Sequence, residues 1–279
     1  MEVADSLFIR WVLIIILSSL IYGNLSVLIS ARKLFFLASV TPHSALLAAL
    51  IAVVLSSTSG VLNEFSWSAI IGCSLMLVVG YSIYKGADVD TVTSIYVALT
   101  ASVSVTLMNY VLTTFRVGYR LWSVILGDPL LITWSDLLYV SVVALLTAVL
   151  TVFSLKYHIY AGADPDYVKL VGARKWLYDF ILFLLIGITS VALIKVTGFI
   201  LQHILILLPS IVAARLTESS SKAYMISLLV SLTAGVVGLQ LAVLINTSPS
   251  GMIGITLITI FVISLLLHKV KEVLASLRD

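Results

Sequence analysis

Charge is what this 279-residue sequence lacks most. Asp, Glu, Lys and Arg together make up 10% of it, against 61% apolar residues, and its mean hydropathy is +1.18. Soluble domains carry about 25% charged residues, so a water-soluble globular fold is excluded. Cysteine is nearly absent too: Cys73 stands alone, which excludes an internal disulfide and any site built from several cysteines. It follows Gly72 in an apolar run and reads as a small packing residue. No GxxxxGK[ST] phosphate loop occurs, so the chain does not itself hydrolyse ATP by the usual P-loop route. A net charge of +3, with basic residues spread along the chain, is too small to suggest a nucleic-acid partner. The first ten residues carry Glu2 and Asp5 and lack the basic n-region of a secretory signal, so the first apolar run is expected to be a retained helix.

What is present is a series of apolar stretches, each of about the 20 residues that cross a bilayer as a helix. Charges and turn residues divide the sequence into nine expected spans, at 10–30, 35–57, 66–84, 92–113, 136–155, 178–195, 199–215, 222–245 and 251–268. The expectation is one all-α transmembrane domain over 1–279, embedded in lipid. The seventh span is short and contains Pro209, so two half-helices, one tilted helix and a total of eight spans all stay open. The positive-inside rule orients the map. With the N-terminus outside, the inner side holds Arg32, Lys33, Lys85, Lys156, Lys169, Arg174, Lys175, Arg215, Lys222, Lys269, Lys271 and Arg278. The outer side holds only Arg10, Arg116, Arg120 and Lys195. Twelve against four predicts an odd number of crossings, with the N-terminus outside and the C-terminus inside.

No Asp, Glu, Lys or Arg is expected at mid-bilayer. A proton-driven transporter usually keeps a titrating group there, so that class is disfavoured; a sodium-coupled one using backbone carbonyls at broken helices stays open. Asn24, Asn109 and Gln240 read as interhelical packing residues. His43, in Ser39-Val40-Thr41-Pro42-His43, is different. A neutral imidazole binds zinc, manganese or iron. Ser39 at i−4 shares its helix face, and Pro42 is expected to free the carbonyl near Ala38 as a further oxygen ligand. A histidine hydrogen-bonded to a neighbouring helix is the plainer reading. His203, beside Gln202, lines an outer mouth or is an interfacial residue, while His158 and His268 read as surface residues among lysines.

The loop after the fifth span has the grammar of a short helix. Asp164 suits an N-cap, Pro165 the first helical position, Asp166 the positive dipole end, and Gly172 the C-terminus. With Val168 and Val171 as anchors it would dock on a cytoplasmic partner or lie on lipid. Thr247-Ser248-Pro249-Ser250-Gly251 is a turn signal before the last span. A serine protease pairing Ser250 with His43 or His203 is disfavoured by the lack of a GxSxG pattern.

The order of these motifs resembles the permease subunits of the zinc/manganese/iron metal-ion ABC importers. Arg32-Lys33, Phe35-Phe36 and His43-Ser44 are similar to that family's basic pair, aromatic stretch and His-Ser step. Leu126-Gly127-Asp128-Pro129-Leu130 resembles its "LFGs-L" stretch, and Asp164-Pro165 with Gly172 its coupling-loop pattern. Gly198 with Ile206-Leu207-Leu208-Pro209-Ser210-Ile211-Val212-Ala213-Ala214-Arg215-Leu216 resembles its "G…LLIIP-A-ARLL" signature, and Ser250-Gly251 its "P-S-G". The resemblance runs from about residue 30 to 255. It implies a homodimeric permease of a prokaryotic cytoplasmic membrane, not itself an enzyme and without a permanent cofactor. It further implies a separate ATP-binding-cassette ATPase docked on Asp164–Gly172 and an extracytoplasmic binding protein that delivers a divalent metal ion. His43, with Ser39 and His203, would be a transient ligand, and the segment around Pro209 a gate. The sequence departs from the family at Ser39, where an acidic residue is common. A permease for a siderophore or cobalamin-type chelate and an ion-gradient-driven transporter are the alternative expectations.

Overall fold

A computed structural model describes residues 2–115 and 124–276. Arg116, Arg120 and Arg278 of the charge tally lie outside the described residues, as do the side chains of Lys169, Lys271 and His268. Every regular element described is helical. In chain order they are α1 (Glu2–Ala31), α2 (Phe35–Ser59), α3 (Glu64–Tyr84) and α4 (Val89–Thr114), then a 3-10 turn at Pro129–Leu131. There follow α5 (Trp134–Ala163), α6 (Pro165–Leu170), α7 (Lys175–Leu205), α8 (Leu208–Leu216), α9 (Ser220–Ile245) and α10 (Pro249–Ser276). Among the described residues eight helices are long and apolar enough to cross a membrane.

Polar caps start these helices where the sequence supplies them. Asn63 accepts from the Ser66 N–H for α3, and Asp88 accepts from the Thr91 N–H for α4. Thr133 and Asp136 form a reciprocal capping box at α5. Helices α1, α2 and α7 are the most buried and make the centre of the bundle, while α3, α4, α5, α9 and α10 present apolar side chains outward. Asn24 joins α1 to α9 by accepting the Tyr224 hydroxyl at 2.7 Å. Asn109 and Gln240, read from sequence as packing residues, instead face outward from α4 and α9.

The expected seventh span is the one that is not a single helix. Gly198 leaves the helical region (φ 74°, ψ 165°) and bends α7 there. In a straight helix Gln202 and Ser190 would lie about 18 Å apart, yet the Gln202 Nε2 donates to the Ser190 carbonyl at 3.0 Å. Residues 199–205 therefore fold back along α7. After a second break at Ile206–Leu207, α8 continues, with Pro209 in its first turn, where a missing N–H costs nothing. The break thus precedes Pro209 rather than being made inside a helix by it. α8 ends beside Ala31, Lys33 and Gly162, so the two pieces together traverse the bundle, and the start of α1 and the end of α10 lie at opposite ends. One end gathers Arg32, Lys33, Lys85, Arg174, Lys175, Arg215 and Lys222; the other holds Arg10 and Lys195.

The bend depends on two glycines in backbone contact. A Cβ on Gly198 would strike Leu126 and Gly127, and one on Gly127 (φ 69°) would strike Thr197 and Gly198. Gly198→Ala is accordingly expected to lower stability by about 1–3 kcal/mol. Thermal unfolding in detergent checks this, with Gly251→Ala as the neutral control, since its Cβ would meet nothing closer than 3.8 Å.

Candidate functional site

The fold-back of residues 199–205 brings together two histidines that are 160 positions apart in sequence. His43 on α2 and His203 have ring centroids 5.9 Å apart, and each meets the Phe199 ring edge-on, at 4.8 Å and 5.0 Å. Both histidines are half-buried. His203 Nδ1 lies 2.7 Å from the Phe199 carbonyl oxygen. A carbonyl only accepts, so Nδ1 carries a proton, which in the neutral ring leaves the lone pair on Nε2. Histidine metal ligands are commonly oriented in this way, by donating their second nitrogen to a backbone carbonyl.

The oxygen ligands expected around His43 are largely engaged. Pro42 does deprive the Ala38 carbonyl of its helical donor, but the Thr41 hydroxyl donates to it at 2.9 Å. The freed carbonyl therefore accepts one bond and keeps its second lone pair. The Ser39 hydroxyl donates to Phe36 O at 2.7 Å, on its own helix. Among the described residues no group of three His, Cys, Asp or Glu side chains converges. Two imidazoles on a half-open surface can hold a cation briefly but do not enclose one. Ser250 is elsewhere: its hydroxyl donates to Leu126 O at 3.1 Å and contacts Ser248 Oγ at 2.9 Å. It ties down the loop that meets Gly198 and has no catalytic geometry.

At the basic end, the short helix α6 forms as its sequence suggests. Asp164 accepts from the N–H groups of Asp166 and Tyr167 at 3.0 and 3.1 Å. Gly172, at φ 70°, ends the turn that follows. The two valines differ in burial: Val168 on α6 is 7% exposed, while Leu170 at its end is 87% and Val171 in the following turn 63% exposed. Val168 lines a cavity of about 150 Å³ together with Arg32 and Tyr157, and the outward side of α6 and its following turn is made by Tyr167, Leu170 and Val171.

Behind that cavity lies a buried polar cluster. Arg32 Nη1 donates to Asp179 Oδ1 at 2.7 Å and lies 3.4 Å from His158 Nδ1. His158 is fully buried, which corrects its reading as a surface residue. Arg32 can only donate, so His158 accepts at Nδ1 and carries its proton on Nε2, which has no partner among the described residues. Tyr157 and Tyr178 stack beside it with centroids 4.0 Å apart. The cluster joins α5, α7 and the α1–α2 turn, a little over two turns of α2 before His43. Its three members were visible in the sequence only as charges and a histidine at span ends; no spacing linked them.

Removing one member of a buried pair strands the other. Asp179→Asn is expected to destabilise the folded chain by about 3 kcal/mol, and Arg32→Gln combined with it by clearly less than the sum of the two single changes. Thermal unfolding of the two single variants and the double variant measures that coupling; strictly additive losses would show none.

The comparisons with known proteins address the fold and the family. Residues 4–268 match the family model described as the ABC 3 transport family. The chain is 22% identical over 222 residues to the manganese transport system membrane protein MntC of Listeria innocua, covering 76% of this chain and 78% of that protein. It is 24% identical over 146 residues to the manganese transport system membrane protein MntB of Synechocystis, a match over 52% of this chain and about half (48%) of that relative. The fold is similar to a solved structure of PsaBC from Streptococcus pneumoniae in complex with Fab. There the TM-score is 0.78 at 19% identity, over 92% of this chain and 90% of that one. The chain belongs to the ABC 3 transport family and is a multi-pass protein of a prokaryotic plasma membrane.

Proposed function

We propose that the chain is the permease subunit of an ATP-driven importer for a divalent transition-metal ion, with manganese the first candidate. The observation that carries this is the facing pair His43 and His203, contributed by two different helices and with His203 pre-oriented by the Phe199 carbonyl. One ion bound about 2.0–2.1 Å from each imidazole nitrogen can bridge rings at this separation. The names of the relatives favour manganese. Neutral imidazole without a carboxylate holds manganese weakly compared with zinc, which suits a conduit that must also release its ion. Selection then rests with an extracytoplasmic binding protein, and a second copy of the chain completes the pathway. The chain performs no covalent chemistry.

The basic end faces the cytoplasm in this reading, because positive charge gathers there. The ATPase docks on the outward face of α6, at Leu170 and Val171. Closure of the ATPase pair pushes α6, Val168 passes the movement to Tyr157 and Arg32, and Arg32 lies in the turn that leads into α2 and His43. The bent segment 199–216, which carries His203, is the gate element.

The deciding experiment is the manganese, zinc and iron content of cells lacking the gene, each metal limiting in turn. One metal should fall, and wild type should restore it while His43→Ala and His203→Ala do not. If all three stay level under every limitation, the metal-ion reading is overturned. Leu170→Asp with Val171→Asp is expected to abolish co-purification of the ATPase while leaving membrane insertion intact; retained co-purification would sink the assignment of that face.

A further inference from the structure

A cavity bordered by outward-facing side chains lies at the basic end, between the last two turns of α3 and the first turns of α7. It encloses about 390 Å³ and is lined by Leu77, Tyr81, Tyr84, Trp176, Phe180 and Phe183, with Gly80 in its wall and Asp179 at its base. Tyr81 is 63% exposed and Trp176 55%, so the groove opens outward. α3 ends at Tyr84 and α7 begins at Lys175, which puts the mouth at the depth where a membrane-spanning helix leaves the hydrocarbon. Tyrosine and tryptophan favour that depth because one edge of the ring is apolar and the other polar.

The charges around the groove narrow its occupant. Lys85 holds its ammonium 5.5 Å from the Tyr81 ring centre, and Lys175 holds its own 5.4 Å from that of Tyr84. One cation therefore stands on each wall, against the groove's own tyrosines. Among the described residues neither ammonium is paired with a carboxylate. The carboxylate at the base is already neutralised, since Asp179 is bonded to Arg32 at 2.7 Å. Gly80 shapes the floor: a Cβ there would run into the Phe183 ring, so its absence lets that ring lie against α3. The result is an apolar trough under two free positive charges at the membrane boundary.

We propose that this groove is a binding site for one anionic phospholipid. An acyl chain lies along Leu77, Phe180 and Phe183, and the phosphate sits between Lys85 and Lys175. The phenol and indole groups of Tyr84 and Trp176 meet the glycerol and ester region. A zwitterionic lipid brings its own cation to the same place and is bound less well. The site does not depend on what the chain transports.

The test uses the full chain, with whatever subunits it retains on purification, in vesicles containing brominated phosphatidylglycerol or brominated phosphatidylcholine. Bromine quenches a nearby indole, and the Trp176 signal is the difference between wild type and Trp176→Phe. Brominated phosphatidylglycerol should quench Trp176 at a lower mole fraction than brominated phosphatidylcholine. A lysine near a membrane surface is worth roughly fivefold in affinity for anionic lipid, so Lys85→Gln with Lys175→Gln should reduce that preference by up to about thirtyfold. An unchanged thermal midpoint in phosphatidylcholine would show that the double variant still folds. Equal quenching by the two lipids overturns the proposal in favour of ordinary boundary lipid. Absence of quenching by either overturns it in favour of a protein cover, a second copy or the ATPase.

Discussion

Inside a bilayer every backbone N–H and C=O must find its partner within the protein, and that constraint governs the one part of this chain that is not a plain helix. A helix interrupted at Gly198 exposes carbonyls at its end, and each break is closed by a group brought from elsewhere. The loop around Asp128 supplies one donor, as the Asp128 N–H bonds to the Lys195 carbonyl at 3.2 Å. Ser250 in turn satisfies the carbonyls of Leu126 and Gly127 in that loop. At the second break, the Ser26 hydroxyl donates to Leu207 O and accepts from the Ser210 N–H. Four segments distant in sequence thus cooperate to make a bend tolerable in lipid. The His43–His203 pair exists only because that bend does.

The sequence made the class, the long helices and the segregation of positive charge legible, because hydropathy and span length are set by bilayer thickness. It also revealed α6, whose capping residues act within one turn of each other. What it left unread were contacts across long sequence separations. Pro209 attracted attention as a helix breaker, yet the first bend is at Gly198, whose role depends on a backbone contact with Gly127 that no local pattern encodes. His158 looked like an interfacial residue because lysine and tyrosine flank it; its burial follows from the docking of α5 on the α1–α2 turn. Ser39 and the Ala38 carbonyl were reasonable ligands by spacing alone, and side-chain back-bonding within α2 engages both. Val168 lies on α6 and Val171 in the turn that follows it, so the spacing that would put both on one helix face does not apply.

The two ends of the bundle are held differently. At the end with little positive charge, Lys195 and Asp136 pair at 2.7 Å, partly exposed, an arrangement that screens readily and contributes little. At the basic end Arg32 and Asp179 pair at the same distance but are nearly enclosed, beside a fully buried histidine. Breaking an enclosed pair is far costlier than breaking an exposed one. The α1–α2 turn is therefore fixed firmly to α5 and α7, while the opposite loops rely on weaker polar contacts and the glycine bend.

The inward-facing valine of α6 has a mechanical consequence. Six residues form fewer than two turns, too short for a helix to be stiff by its own backbone bonds. The stiffness of α6 is borrowed, from the Asp164 cap at one end and from Val168 seated in the bundle along its length. An element held in this manner works as a stud rather than a hinge. Load applied to its outer face travels through a side chain into the packed interior, and the flanking loops need carry very little of it.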